Sequence, residues 1–245
     1  MSGVRAVFYR ELVMLWKKIG KLGYVFAALL YPLIYLFAFG LGMGGRQGLG
    51  DGYLPFLVSG IAGVTVMLNS FQQTAMSISV GRLYFRSFQS LILSPVSAGE
   101  IVSGVLLAGL VRGLFSGALL LVIGEAVFGV SVVNGIFFLG MVTGALCFAA
   151  MGAVVGLLVA DVDEISLVNN FFITPMIFFG GSFFPLSNLP DILAFIAGLL
   201  PIRVLNTVLR AATFNEEVTL CLLLMLSMTL AFFIWGVALI RNYSE

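Results

Sequence analysis

From Gly135 to Ala160 the chain runs twenty-six residues without a charged side chain. About 20 apolar residues in a helix cross the hydrocarbon of a bilayer. Comparable runs lie at 22–42, 53–80 and 218–240, and 101–123 is interrupted by a single charge, Arg112. Hydrocarbon offers no water to satisfy backbone N–H and C=O groups, so runs of this length must satisfy them internally, as helices. Charged residues make up only 9% of the chain and hydrophobic ones 61%, where soluble domains carry about 25% charged residues. The pattern predicts an all-α integral membrane protein, with residues 1–245 forming one domain and no linker or repeat dividing it.

The fifth apolar segment in chain order starts near Ile165 and behaves differently. Asn169 to Arg210 is apolar enough to enter a membrane, yet Pro175, Gly180, Gly181, Pro185, Pro190 and Pro201 interrupt it. Proline removes a backbone donor and clashes with the preceding turn. A broken segment persists at membrane depth only where protein or a watery cavity covers it.

Residues 1–21 read as an amphipathic helix lying in the headgroup plane. Phe8, Leu12, Leu15, Ile19 and Leu22 share one face, with Arg10, Lys17 and Lys21 opposite. The first apolar run is too long for the core of a cleavable signal. Six spans put both ends on one side. With the N-terminus inside, Arg5, Arg10, Lys17, Lys18, Lys21, Arg82, Arg86 and Arg241 are cytoplasmic, against Arg46, Arg203 and Arg210 outside. The positive-inside rule therefore predicts both termini in the cytoplasm and 188–214 at the outer side.

The longest polar interruption is 81–100. Tyr84, Phe88 and Leu91 fall on one helical face and Arg82, Arg86 and Gln89 on another, giving a short helix over 82–93 that Ser94-Pro95 ends. Ser97-x-x-Glu100 then has the spacing of a capping box. Asp161, Asp163 and Glu164 form an acidic turn that caps the next helix; a calcium loop would need more oxygen ligands over about twelve residues.

The chain has no histidine, which removes the commonest general base and metal ligand. Cys147 and Cys221 sit inside apolar runs, as small hydrophobes do. No cofactor or metal site is expected, and no basic run suits nucleic acid. Gly20-Lys21 is followed by Leu22 and lacks the glycine-rich run of a phosphate-binding loop, so any energy from ATP must come from another polypeptide. Two features could line a pathway. Asn69, Gln72 and Gln73, with Thr65, form a polar stripe in the second span; such residues either hydrogen-bond between helices or face a substrate. Arg112 lies near the middle of the third span, where a charge costs at least about 2.5–3.5 kcal/mol. It is either capped by carbonyls or by Asn and Gln of the second span, or it anchors an anionic substrate group.

Taken in order, the basic amphipathic helix, the stretch Ser-Phe-Gln-Ser-Leu-Ile-Leu-Ser-Pro-Val-Ser-Ala-Gly-Glu-Ile (87–101), and Pro175 through Phe-Phe-Gly-Gly-Ser-Phe-Phe-Pro-x-x-x-Leu-Pro190, with Leu-Pro201 and Leu-Arg210, resemble the membrane subunit of ABC-2-type exporters. That family includes permeases for polysaccharides, lipo-oligosaccharides and drugs. The resemblance covers essentially the whole chain. It implies a permease homodimer in the bacterial inner membrane, carried on two cytoplasmic ATPase subunits that hold ATP and magnesium. It implies that 82–93 is a coupling helix docking into the ATPase, through the aromatic face of Tyr84 and Phe88 with Leu91, flanked by Arg82 and Arg86. It implies that 188–214 forms short re-entrant helices. Many members carry an acid where Phe88-Gln89 stand here, so the aromatics must do more of the docking. A different class, a secondary transporter or channel driven by ion gradients, would show paired broken helices in two related halves; here one segment is broken.

Overall fold

The computed structural model describes residues 3–19, 22–44, 52–85, 87–185 and 190–242, and every regular element among them is helical. The elements are α1 (Gly3–Ile19), α2 (Leu22–Gly44), α3 (Tyr53–Leu83), α4 (Ser87–Ile92), α5 (Ala98–Phe128), α6 (Gly135–Leu158), α7 (Asp163–Val168), a π-helical turn (Asn169–Ile173), α8 (Thr174–Phe179), α9 (Asp191–Gly198), α10 (Pro201–Arg210) and α11 (Glu216–Arg241). Among the described residues, α3, α5, α6 and α11 are each long and apolar enough to cross a membrane, and α2 adds the shorter apolar stretch Leu29–Gly42.

The bundle is built around α3. Its residues from Leu57 to Met67 are all buried, as expected of a helix that is apolar on every side. Helix α11 is the opposite case. Leu220, Leu223, Leu224, Leu226, Leu230 and Ile234 are exposed, the surface expected toward lipid.

Glycines set the spacing between the central helices. A Cβ on Gly152 of α6 would lie 3.1 Å from both Cα and the carbonyl carbon of Phe71, and closer still to that carbonyl oxygen. One turn on, a Cβ on Gly156 would meet the Ala75 carbonyl oxygen at 2.7 Å. On α5, Gly109 meets Thr74 and Ala149, Gly113 meets Ser70, and Gly117 meets Met141 and Val66 in the same way. Small residues four apart let membrane helices approach closely, where packing replaces the hydrophobic effect as the source of association.

The predicted fifth span is resolved into α7, the π turn and α8, which follow one another without a gap. Pro175 does not break it. The N–H of Thr174 donates to the Asn169 carbonyl, five residues back. This wider turn lies just ahead of the proline, where a regular helix would set the ring against the carbonyl four residues earlier. The chain breaks instead at Gly180 and Gly181, the latter with φ +72°, a left-handed conformation that glycine adopts without steric cost.

Helix α1 also departs from expectation. It lies along the first turns of α5, and its buried residues are Val7, Glu11 and Leu15. Phe8 and Leu12, predicted to lead the apolar face, are half-buried, while Tyr9 and Trp16 are exposed. The buried seam is rotated by about one residue because an acid, not an apolar side chain, meets the charge in α5. Lys21 and the side chains of Lys18, Ile19 and Leu22 lie outside the described residues.

The capping box forms as the spacing predicts. Ser97 Oγ accepts from the Glu100 N–H at 3.3 Å, and the Ser97 N–H donates to Glu100 Oε2 at 3.0 Å. Glu100 Oε1 also accepts the Gly3 N–H at 2.9 Å, tying the start of α1 to the start of α5. Val7, Phe88, Ile101, Val102 and Ile240 form one buried cluster, so the two terminal helices meet at the same end of the bundle. At the other end Ile136, Val208 and Val218 cluster.

Candidate functional site

The residues singled out by sequence fall into three places. The first is a buried ion pair between α1 and α5. Arg112 Nη2 lies 2.7 Å from Glu11 Oε2, with the two side chains 6% and 4% exposed. Ser77 Oγ donates to the same carboxylate oxygen at 2.7 Å, and Arg112 Nη1 donates to the Gln73 carbonyl at 3.3 Å. Arg112 is therefore neither an open anchor nor capped by carbonyls alone: it is neutralised within the protein by an acid from α1. Sequence reasoning missed Glu11. The signal was available, since Glu11 stands four residues from both Val7 and Leu15, between two apolar neighbours on one helical face.

The polar stripe packs within the bundle beside Arg112. Asn69 is buried and its Nδ2 donates to the Thr65 carbonyl at 3.0 Å. Gln73 joins the ion pair through its backbone, and Gln72 and Gln73 are half-buried. Ser70 Oγ donates across to the Gly109 carbonyl at 3.2 Å, the interhelical use of such groups.

The second place is the α3–α4–α5 corner. The helix predicted over 82–93 is shorter: α4 covers Ser87–Ile92, and Arg82 belongs to the last turn of α3. Arg82 is buried and donates to the Leu157 and Val159 carbonyls at the end of α6. It satisfies orphan carbonyls and opposes the helix dipole there, so it does not stand on a presented surface. Phe88 is 2% exposed and packs with Val7, Ile78 and Ile101, with Leu91 partly buried against the same cluster. The face named from sequence points largely inward. The exposed apolar side chains at this corner are Tyr84, Phe85 and Leu93, at 68%, 74% and 87%. Phe85 and Leu93 were not expected. Arg86 lies outside the described residues.

The third place is the interrupted segment at the opposite end. Phe183 is inserted among Tyr35 and Phe39 of α2 and Phe178 of α8, with ring centroids 5.2, 4.8 and 5.5 Å away. Offset and edge contacts at these distances suit aromatic quadrupoles. Asn206 of α10 donates to the Gly180 carbonyl and to Ser182 Oγ, both at 3.0 Å. Arg210 Nη2 donates to the Phe56 and Ser182 carbonyls at 3.2 and 3.4 Å, and its guanidinium carbon sits 3.5 Å from the centre of the Phe56 ring. Desolvation lowers the Arg210 pKa to about 10, which leaves it charged at neutral pH. Pro201 stands at the first position of α10, where its missing N–H costs nothing. Pro185 and Pro190 flank residues 186–189, which lie outside the described residues, so the expected re-entrant region is described only through α9 and α10.

The acidic turn precedes α7, whose N-cap residue, Val162, makes no side-chain cap. Ala160 N–H donates to Glu164 Oε2 at 2.8 Å and Asp163 N–H to Asp161 Oδ1 at 3.4 Å. Among the described residues, no cluster of three His, Cys, Asp or Glu side chains could hold a metal.

The described residues thus form a bundle of apolar helices with an interrupted, aromatic-packed segment at one end and a short helix at the other. Residues 3–214 match the family model described as ABC-2 type transporter, and the chain belongs to that family. It is 28% identical over 212 residues to nodulation protein J of Sinorhizobium fredii, covering 85% of this chain and 80% of that protein. It is 32% identical over 172 residues to the inner membrane transport permease YadH of Escherichia coli K12, covering 69% and 67%. With nodulation protein J of Neorhizobium galegae the match extends over 96% of this chain and 91% of the relative, at 27% identity. The protein is thus the transmembrane subunit of an ABC transporter.

Proposed function

We propose that this chain forms the pathway of an ATP-driven exporter in the bacterial inner membrane. It works as a homodimer on two cytoplasmic ATPase subunits that hold ATP and magnesium. The cargo is amphiphilic: a lipid-linked saccharide, a glycolipid or an amphiphilic drug. Both termini and the α4 corner face the cytoplasm, and the segment around α9 and α10 forms re-entrant helices at the outer side. The relatives described as nodulation protein J and as an inner membrane transport permease support the membrane and the class.

The observation that carries the coupling reading is the exposed group Tyr84, Phe85 and Leu93 beside a helix whose inner face is locked by Phe88. Large apolar side chains held at the polar end of a membrane bundle call for a protein partner. The inner face makes α4 a rigid handle. The Ser97–Glu100 cap and the Glu100–Gly3 bond then pass its movement to α5 and α1 together.

The two faces of this corner separate in a mutational test. Burial of an aromatic is worth roughly 1.5–3 kcal/mol, so Tyr84→Ala with Phe85→Ala is expected to lower ATPase co-purification by at least about tenfold while the permease keeps its melting temperature. Phe88→Ala is expected to cost about 3–5 kcal/mol of stability through a core cavity. Stoichiometric ATPase on the Tyr84/Phe85 double variant would remove the corner from the coupling pathway.

Sidedness has its own test. In a background with Cys147→Ala and Cys221→Ala, single cysteines at Ser90 and Thr213 should label from opposite faces of oriented vesicles with a membrane-impermeant maleimide, Ser90 from the cytoplasmic one. Labelling of both from one face would overturn the arrangement.

A further inference from the structure

We propose that the end of the protein opposite α4 carries an anion site for a phosphoryl group, in the cavity between α10 and the Gly180–Gly181 turn. The cavity has a volume of 240 Å³, and Arg203, Asn206, Thr207 and Arg210 of α10 line it, facing Phe56 of α3. Arg203, Thr207 and Arg210 are spaced four and three residues apart, so they share one face of the helix. No acidic side chain lines this cavity among the described residues.

Arg210 is the centre of the site. Its neighbours are two carbonyls and an aromatic ring, and its hydrogen bonds all come from Nη2. Its Nε is buried without a partner. Among the described residues no acidic side chain pairs with Arg210; the Glu11–Arg112 ion pair lies elsewhere, between α1 and α5. The Arg210 charge is thus held in a desolvated position by two carbonyls and an aromatic ring, without a counter-charge, with a second cavity of 340 Å³ on its other side, lined by Ser59, Ser131 and Asn134. A low-dielectric hollow lined by one sign of charge concentrates the opposite ion. Asn206 Nδ2 and the Thr207 hydroxyl already donate to protein groups, so the free donors are those of the two guanidinium forks, more than one carboxylate can accept; the oxygens of a phosphoryl group match them. The group belongs either to the headgroup of a membrane lipid or to a phosphorylated cargo. Only the second source rests on the exporter reading, and binding needs no ATPase, so a failure here leaves the coupling test standing.

The test uses the purified full-length permease, in detergent for titration with inorganic pyrophosphate by calorimetry, and in phosphatidylcholine nanodiscs with and without phosphatidylglycerol for native mass spectrometry of retained lipid. Loss of one charge-assisted contact is expected to weaken binding about tenfold, and Arg203→Gln, an exposed position, should do this without affecting folding. Arg210→Gln should lose more, and Thr207→Val, which removes a hydroxyl that donates to the Arg203 carbonyl, should leave binding unchanged. Pyrophosphate binding lowered by Arg203→Gln supports a soluble or cargo phosphoryl group. Retained phosphatidylglycerol that Arg203→Gln releases, without pyrophosphate binding, supports a lipid headgroup. Binding of neither probe by the wild type, or equal binding of both by the wild type and Arg203→Gln, overturns the proposal.

Discussion

Glu11→Leu is expected to destabilise the protein by about 3–5 kcal/mol, the cost of leaving a buried charge without its partner. Arg112 would keep only the Gln73 carbonyl and the Glu11 backbone carbonyl, the latter at 3.5 Å. Arg112→Leu should cost about as much, since it strands Glu11 with a single hydroxyl, that of Ser77. The informative variant is the double one. Replacing both members of a buried pair by apolar residues is often neutral or stabilising, so Glu11→Leu with Arg112→Leu should recover most of what either change loses. Melting temperatures of the four proteins in one detergent, with the monodisperse fraction after heating, complete the cycle. A double variant as unstable as the sum of the singles would mean that the pair is not the unit of stability. Singles that melt like the wild type would mean that water reaches the charges. A substrate anchor predicts something else, namely normal stability and lost transport in Arg112→Leu.

Gly152→Ala is expected to cost about 3 kcal/mol, at the upper end of overpacking effects. The added methyl group meets main chain of α3 rather than a side chain that can rotate, with Phe71 Cα at 3.1 Å. Helices α3 and α6 must therefore separate, and the contact at Gly156 one turn away opens with them. Gly99→Ala is the matched control. Nothing lies within 4 Å of a Cβ there, and alanine in a helix is favoured over glycine by up to about 1 kcal/mol. Thermal melts of both variants should move in opposite directions. Equal melting of Gly152→Ala and the wild type would show that α3 and α6 have room to spare.

The membrane class, the positions of the long helices and the Ser97–Glu100 cap were legible in the chain itself, because each rests on local rules. A run without charge must be a helix in lipid, and a Ser three residues before a Glu caps locally. Pro175, Gly180 and Gly181 were rightly read as special, though their roles were exchanged: the proline is absorbed by a π turn and the glycines make the break. The glycine spacings on α5 and α6 were also present in the chain, but spacing does not say which helix comes close.

What the tertiary structure decided is which partner each polar or aromatic group meets. Periodicity puts Phe88 on a face; whether that face looks toward a partner or toward Val7 and Ile101 depends on the angle of α4, set by packing distant in sequence. Likewise Arg112 and Glu11 are separated by 101 residues, and no local rule connects them. The chain alone determined that a charge inside the third span must be compensated, because hydrocarbon cannot solvate it. Only the docking of α1 along α5 decided that the compensation is a carboxylate of the same polypeptide.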